Sequence, residues 1–199
     1  KAIIQYDGSE RQGFQCQEGA LTIQGDLHLS LQKILTGQFT TRAASRTDKG
    51  VHAFAQVVKI SAEGELDLEE FNRALPTHMR CLDLERCNPE FIPSIDQFSK
   101  EYRYVFSDIP DQRFVACAPS PLNIDHIRNC VEMLKGMNDF KNFWSIGGIS
   151  NTTIREVLEC DLTLIDPREF FRDTLFSAGE VSSCWQFRIV GKGFLKHMV

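Results

Sequence analysis

The segment Ala44-Ser45-Arg46-Thr47-Asp48-Lys49-Gly50-Val51-His52-Ala53 places a carboxylate between two cations, where an extended run gives way to a turn. Phe39 to Ser45 is Thr-rich and suited to a strand, Asp48-Lys49-Gly50 is a turn signal, and Ala55 to Ile60 is a second apolar run suited to a strand. If the chain stays extended from Arg46 to Asp48, residues two apart face the same way and the guanidinium meets the carboxylate. Such a pair keeps the aspartate ionised and aimed, as a carboxylate acting on a bound substrate must be. The plainer reading is that Asp48 opens a turn ending in Gly50, which is what most Asp-x-Gly segments do. Spacing alone favours the turn.

Other residues able to do chemistry carry weaker arguments. His52 and His197 lack a Cys, Asp or His partner at ligand spacing, so both read as structural. Tyr102 and Tyr104 share one face of an expected strand, where tyrosines are mostly packing residues. Gly191-Lys192-Gly193 lacks the Gly-Lys-Ser/Thr that completes a triphosphate-binding loop. The seven cysteines, Cys16, Cys81, Cys87, Cys117, Cys130, Cys160 and Cys184, are scattered without a Cys-x-x-Cys pair. Zinc ligation and a disulfide framework are poorly supported, and reduced thiols in a cytosol-like compartment are expected.

The elements that must position Asp48 follow from periodicity. Ala2 to Tyr6 reads as a strand, a loop holds Asp7-Gly8 and Gly13, and Ile23 to Leu35 reads as a helix with Ile23, Leu27, Leu31, Ile34 and Leu35 at helical spacing. After the two strands flanking Asp48, a helix at Leu68 to Ala74 stops before Pro76 and a strand lies around Arg80 to Cys87. This β-α-β-β-α-β order is the ferredoxin-like arrangement, an antiparallel sheet with helices on one face. The second half repeats the grammar less cleanly, with a strand at Ser99 to Phe106, a helix at Ile124 to Leu134, and strands at Glu156 to Leu164 and Trp185 to Val190. Residues 166 to 183 read as a polar excursion between strands. The expected fold class is α+β, with two ferredoxin-like (RRM-like) lobes on antiparallel sheets: residues 1–88, carrying Asp48, and residues 89–199. Pro89 and Pro93 fit a connector. Lys1 to Tyr6 starts directly in a strand pattern and Phe194 to Val199 stops within an apparent helix, so a longer protein is expected.

With 199 residues the chain can hold one sizeable core or two small fused lobes. No apolar run approaches the roughly 20 residues that span a bilayer, and no signal-peptide pattern opens the chain, so a soluble, cytoplasmic protein without a membrane partner is expected. The formal net charge of −5 counts against a nucleic-acid partner, because phosphates are neutralised by Lys and Arg. What matters is the local field. Arg42, Arg46 and Lys49 gather around Asp48, Arg11 lies in an early loop, Lys192 and Lys196 lie near the end, and acid collects at Glu63 to Glu70.

The segment around Asp48 closely resembles the active-site signature of the TruA family of tRNA pseudouridine synthases, and the resemblance covers nearly the whole chain. Tyr6-Asp7-Gly8-Ser9, followed by Gly13-Phe14-Gln15-Cys16-Gln17, is similar to the family's opening Tyr-Asp-Gly and Gly-Trp-Gln segments. Gln56-Val57-Val58, Leu75-Pro76, Lys100-Glu101-Tyr102-Arg103-Tyr104, Gly136-Met137-Asn138-Asp139-Phe140 and Gly193 to Val199 match in order. One segment departs. Where family members often carry Phe-His-Ala-Arg-Phe, this chain has Phe91-Ile92-Pro93-Ser94-Ile95, without the His and the Arg.

The resemblance implies a pseudouridine synthase fold and isomerisation of uridine to pseudouridine in the anticodon stem-loop of tRNA, by homodimers across which one RNA lies. It implies that Asp48 is the catalytic aspartate and that Tyr102 lies over the target base. Arg46 would orient Asp48 and hold the space left by the turned-out nucleotide. Arg11, Arg42, Lys49, His52 and Lys196 are the candidates for RNA contact. The reaction breaks a glycosidic C–N bond, turns the uracil in its pocket and rejoins it through carbon. There is no net redox change, so neither cofactor nor metal is expected. Whether Asp48 attacks the sugar, adds to the base or removes a ribose proton stays open. Two other classes compete. A non-catalytic RNA-binding module of the same fold would carry an aromatic-rich strand signature that is missing and would not require Asp48. For a cysteine-dependent enzyme only the cysteine count speaks.

Overall fold

The computed structural model describes residues 1–107, 114–118, 122–145, 150–176 and 183–199. The chain separates into two units, Lys1–Gln97 with Asp173–Leu175, and Phe98–Arg172 with Phe176–Val199.

In the first unit, β1 (Ala2–Tyr6), β2 (Phe39–Ala43), β3 (Ala53–Ala62) and β4 (Met79–Leu84) form an antiparallel sheet in the order β2-β3-β1-β4. With α1 (Ile23–Ile34) and α2 (Leu68–Ala74) between the strands, this is the ferredoxin-like order. Each helix starts where a side chain takes up a free amide: Thr22 Oγ1 accepts from Gly25 N at 3.2 Å, and Asp67 Oδ1 from Glu70 N at 2.9 Å. Ile23, Leu27 and Leu31 of α1 and Phe71 of α2 are buried in one cluster with Ala2, Ile4, Tyr6 and Val58 of the sheet. Ile3 pairs with Val57 and with Asp83, and Arg42 with Lys59, so the alternation puts these residues on the opposite face. No aromatic ring is among them. Between the pairs Ile4–Gln56 and Tyr6–Ala53, β3 holds one residue more than β1, and this bulge lies where the segment carrying Asp48 joins β3. The proline-rich connector contains one helical turn, α3 (Pro93–Asp96).

In the second unit, β5 (Lys100–Ser107), β6 (Ala116–Cys117), β7 (Gly136–Asp139), β8 (Ile154–Ile165) and β9 (Cys184–Gly191) form a sheet ordered β6-β5-β9-β8-β7. Here the last strand, β9, lies between β5 and β8, whereas in the first sheet the opening strand β1 lies between β3 and β4. β5 and β6 pair in parallel and the other pairs are antiparallel. The helix α4 (Ile124–Met133), capped by Asn123 Oδ1 on His126 N at 2.9 Å, contributes Ile127 and Val131 to a core with Phe106, Leu162 and Ile189. Register places Tyr102, Tyr104 and Phe106 beside Ile189, Phe187 and Trp185 on this face, with Glu101, Arg103 and Arg188 on the other. There Arg188 bonds Glu159 at 2.6 Å, Glu101 at 2.9 Å and Asp161 at 3.2 Å, contacts that push its pKa up. Burial works against ionisation of Glu101, but Arg188 and Arg103 outweigh it and hold this carboxyl below the usual range.

Several short elements lie outside the sequence reading: β6, β7, a 3₁₀ turn at Lys141–Phe143 and α5 (Pro167–Phe170). Phe194 to Val199 is not a helix. It is a turn with His197 at φ 60°, which buries Leu195 and Met198 and bonds Met198 N to Leu195 O at 3.1 Å. The stretch read as a polar excursion is aromatic where it is described, because Phe171 and Phe176 are buried and Phe114 packs on Phe176 at 5.0 Å. Residues 177–182 of that stretch lie outside the described residues. All seven cysteines are free thiols, and burial pushes Cys81, Cys160 and Cys184 up to about 11. No helix among the described residues is long and apolar enough to cross a membrane.

Candidate active site around Asp48

Asp48 is exposed on the connection between β2 and β3, and its own backbone opens a turn: Val51 N donates to Asp48 O at 3.2 Å, and Gly50 takes φ 76°. The backbone thus does what the plain Asp-x-Gly reading expects. What distinguishes this turn is how it is held. Phe14 N donates to Thr47 O at 2.9 Å and Gly50 N donates to Arg11 O at 3.2 Å, so the loop after β1 bonds the chain on both sides of Asp48. From the sheet, the buried Tyr6 hydroxyl meets Thr47 Oγ1 at 2.8 Å and Gln56 Nε2 donates to Ser45 O at 2.7 Å.

Two glycines allow the backbones to close. A Cβ on Gly13, whose φ is 100°, would lie 2.8 Å from Thr47 O, and one on Gly8 would overlap the Val51 carbonyl. Next to Gly8, His52 Nδ1 lies 3.1 Å from Gly8 N and 3.0 Å from Asp7 Oδ1. A protonated Nδ1 donates to the carboxylate and a bare one accepts from the amide, so either tautomer ties His52 to the loop. The same Asp7 oxygen accepts from Ser9 N at 2.9 Å and Ser9 Oγ at 2.6 Å.

The expected Arg46–Asp48 ion pair is not formed. Strand geometry ends at Ala43, so residues two apart no longer share a side, and Arg46 stands exposed in no ion pair among the described residues. Arg42 and Lys49 are also exposed and outside any ion pair among the described residues. Arg11 is held differently. Its Nε lies 2.6 Å from Asp26 Oδ2 and its side chain is only 14% exposed, which replaces the expected phosphate contact with an internal ion pair.

Tyr102 belongs to the second unit, half-buried on β5 with its ring edge-on to Phe194 at 5.1 Å. Tyr104 is the more open of the two, at 57% exposed. Lys196 is exposed on the C-terminal turn, where its carbonyl accepts from Ser145 N at 3.2 Å; Lys192 pairs with Glu156 at 2.7 Å. Among the described residues, no group of three or more His, Cys, Asp or Glu is placed to hold a metal ion.

The sequence reading missed how Tyr6, Gly8, Gly13 and Gln56 hold the turn. Gln56 did leave a trace, because an amide inside an apolar strand run needs a buried partner. Chemically, the arrangement offers an accessible carboxylate on backbone fixed from two directions. Such a group can act on a bound substrate without first having to be ordered.

A family model described as tRNA pseudouridine synthase matches residues 2–104 and 130–199, and the chain belongs to this family. The tRNA pseudouridine synthase A of Syntrophomonas wolfei is 29% identical over 208 residues, an alignment spanning 100% of this chain and 77% of that protein. The proteins of the same name from Listeria innocua and Pelobacter propionicus are 32% and 31% identical, across 100% of this chain and 78% and 79% of theirs.

Proposed function

We propose that the chain isomerises uridine to pseudouridine in tRNA, with Asp48 as the acting carboxylate. The observation that carries this reading is the exposed Asp48 on a turn bonded through Thr47 O and Gly50 N, within the stretch matched by the family model. The reaction needs one placed carboxylate and a pocket that retains detached uracil, and it is redox-neutral, so it calls for no cofactor. Arg46, outside any ion pair among the described residues, is available to orient Asp48 and to fill the place of the turned-out nucleotide, a step costing a few kcal/mol. Tyr102 stacks on the uracil. Arg42 and Lys49 contact phosphates, with Lys196 and the outer edge of His52 as further RNA contacts. The substrate uridines lie in the anticodon stem-loop, and the working form is a cytoplasmic homodimer whose basic faces combine on one RNA.

The test is Asp48→Asn, which keeps the shape and removes the charge. Pseudouridine formation is expected to vanish while tRNA affinity stays within about threefold, because the carboxylate serves the chemical step. Turnover near the wild-type rate sinks the assignment.

A further inference from the structure

We infer that Asp26 on α1 is a positioning residue for the Asp48 turn, acting through Arg11. The inference rests on the reading of Asp48 as the acting carboxylate. Asp26 is in none of the short motifs named for the family, although the matched stretch of residues 2–104 includes it. Its Oδ2 accepts from Arg11 Nε at 2.6 Å and from His78 Nε2 at 2.9 Å. The three side chains are 13%, 14% and 22% exposed, which shields the contacts from water and strengthens them.

Each partner carries the constraint onward through its own backbone. The Arg11 carbonyl accepts from Gly50 N at 3.2 Å, two residues past Asp48, and Arg11 N donates to Gly8 O at 3.0 Å. The His78 carbonyl accepts from Asp7 N at 2.9 Å, at the start of the same loop. The loop that grips the turn is therefore held at Asp7 and at Arg11 by residues that meet at one carboxylate oxygen. That oxygen is itself anchored, because Leu27 and Leu31 of α1 are fully buried. Without the Asp26 charge the guanidinium loses its ion pair and keeps only the 3.3 Å bond from Nη1 to Glu10 O, so the Arg11 backbone relaxes and the acceptor of Gly50 N moves.

A simpler role competes: an acid in the first turn of a helix stabilises the helix by its charge alone. Asp26→Asn, near-isosteric, separates the two when rate, affinity and amide exchange are measured on the full chain. A positioning role predicts that kcat falls about tenfold to a hundredfold while KM for tRNA changes less than about threefold, since a misplacement of about 1 Å slows chemistry rather than binding. It also predicts faster hydrogen exchange at the Gly50 amide with the Leu31 amide unchanged, and that Asp26→Ala slows the Arg11→Ala variant less than it slows the wild type, since only the hold through His78 is then left to lose. Wild-type kcat in Asp26→Asn, or loss of protection spread evenly along α1 with unaltered Gly50 exchange, overturns the inference. Asp48→Asn run alongside keeps the two readings apart. An inactive Asp48→Asn beside a fully active Asp26→Asn refutes the positioning role alone. An active Asp48→Asn refutes the reading of Asp48, and with it any positioning of catalysis through the turn.

Discussion

Gly13→Ala tests whether the loop after β1 holds the Asp48 turn through backbone contact. Two costs apply, and a second glycine separates them. A side chain at φ 100° is strained by at least about 1–2 kcal/mol. Gly64→Ala shares that cost, because Gly64 has φ 89°, but a Cβ there meets nothing within 4 Å. At Gly13 the Cβ would also lie 2.8 Å from Thr47 O, where ordinary contact begins at 3.4 Å, so the two backbones must part by roughly half an ångström. That opening weakens the Phe14 N–H bond to Thr47 O, now 2.9 Å, whose net worth is about 1 kcal/mol. Gly13→Ala should therefore be less stable than Gly64→Ala by about 1–2 kcal/mol in urea denaturation followed by circular dichroism. The larger difference should appear in turnover. Thr47 moves with its neighbour Asp48, so pseudouridine formation in Gly13→Ala should slow by about tenfold or more while Gly64→Ala keeps its rate. Equal stability and equal turnover in the two variants would show that the contact at Thr47 does not place the carboxylate.

Tyr102→Phe keeps the stacking face and loses the hydroxyl, so tRNA affinity should hold while the final proton transfer slows in single-turnover assays; an unchanged rate leaves the hydroxyl without a role in the chemistry. Affinity for tRNA should fall steeply with salt, and Arg42→Ala or Lys49→Ala should each flatten the log–log slope by about one. Arg11→Ala should leave that slope unaltered because its guanidinium is already on Asp26, and a binding curve with no slope refutes an RNA groove at this turn. Asp166 is held down to about 2 by the Arg168 side chain and then by its backbone amide, below the ordinary 3.8, so its stabilising contribution is complete above that value and is lost as pH falls through 2. A carboxyl titration by NMR with a midpoint near 4 would remove that contact.

The first unit is the more legible in sequence because its elements carry their own stop signals. Asp67 and Pro76 bracket α2, and the spacing of Ile23, Leu27 and Leu31 shows the buried stripe of α1. The strand expected at Ala55 to Ile60 runs from Ala53 to Ala62, since pairing with β1 and β2 continues past the apolar run. In the second unit the longer strands are visible, but their neighbours are not. A period of two identifies a strand and says nothing about whether β9 inserts beside β5. The same limit governs the site. Arg46 and Asp48 are two residues apart in sequence and do not pair, while the bond from Phe14 N to Thr47 O joins distant backbones and leaves only a glycine as its trace. The carboxylate that holds Arg11 is one of several in the sequence, and only folding selects Asp26.

The net charge of −5 and a polyanionic substrate are reconciled by where the ion pairs lie. In the second unit Arg188 is neutralised by Glu101, Glu159 and Asp161, Lys135 by Glu132, Arg168 by Asp166 and Lys192 by Glu156. In the first unit Arg11 goes to Asp26 and Arg86 to Glu65. A cation with a carboxylate at contact distance projects little field beyond a Debye length of about 8 Å, so these residues add little long-range attraction for RNA. Arg42, Arg46 and Lys49 are outside ion pairs among the described residues, as are Lys33, Lys59, Arg73 and Arg80 of the same unit, but these three lie together on β2 or on the segment that carries Asp48. The acids that make the sum negative include Glu63, Glu69 and Glu70, exposed at the far end of β3 and on α2. The sum therefore says little about the local field, and in the proposed reading phosphates dock at the three cations beside Asp48. On that reasoning a second protein with the same net charge, but with its arginines near the turn paired, would not bind RNA there.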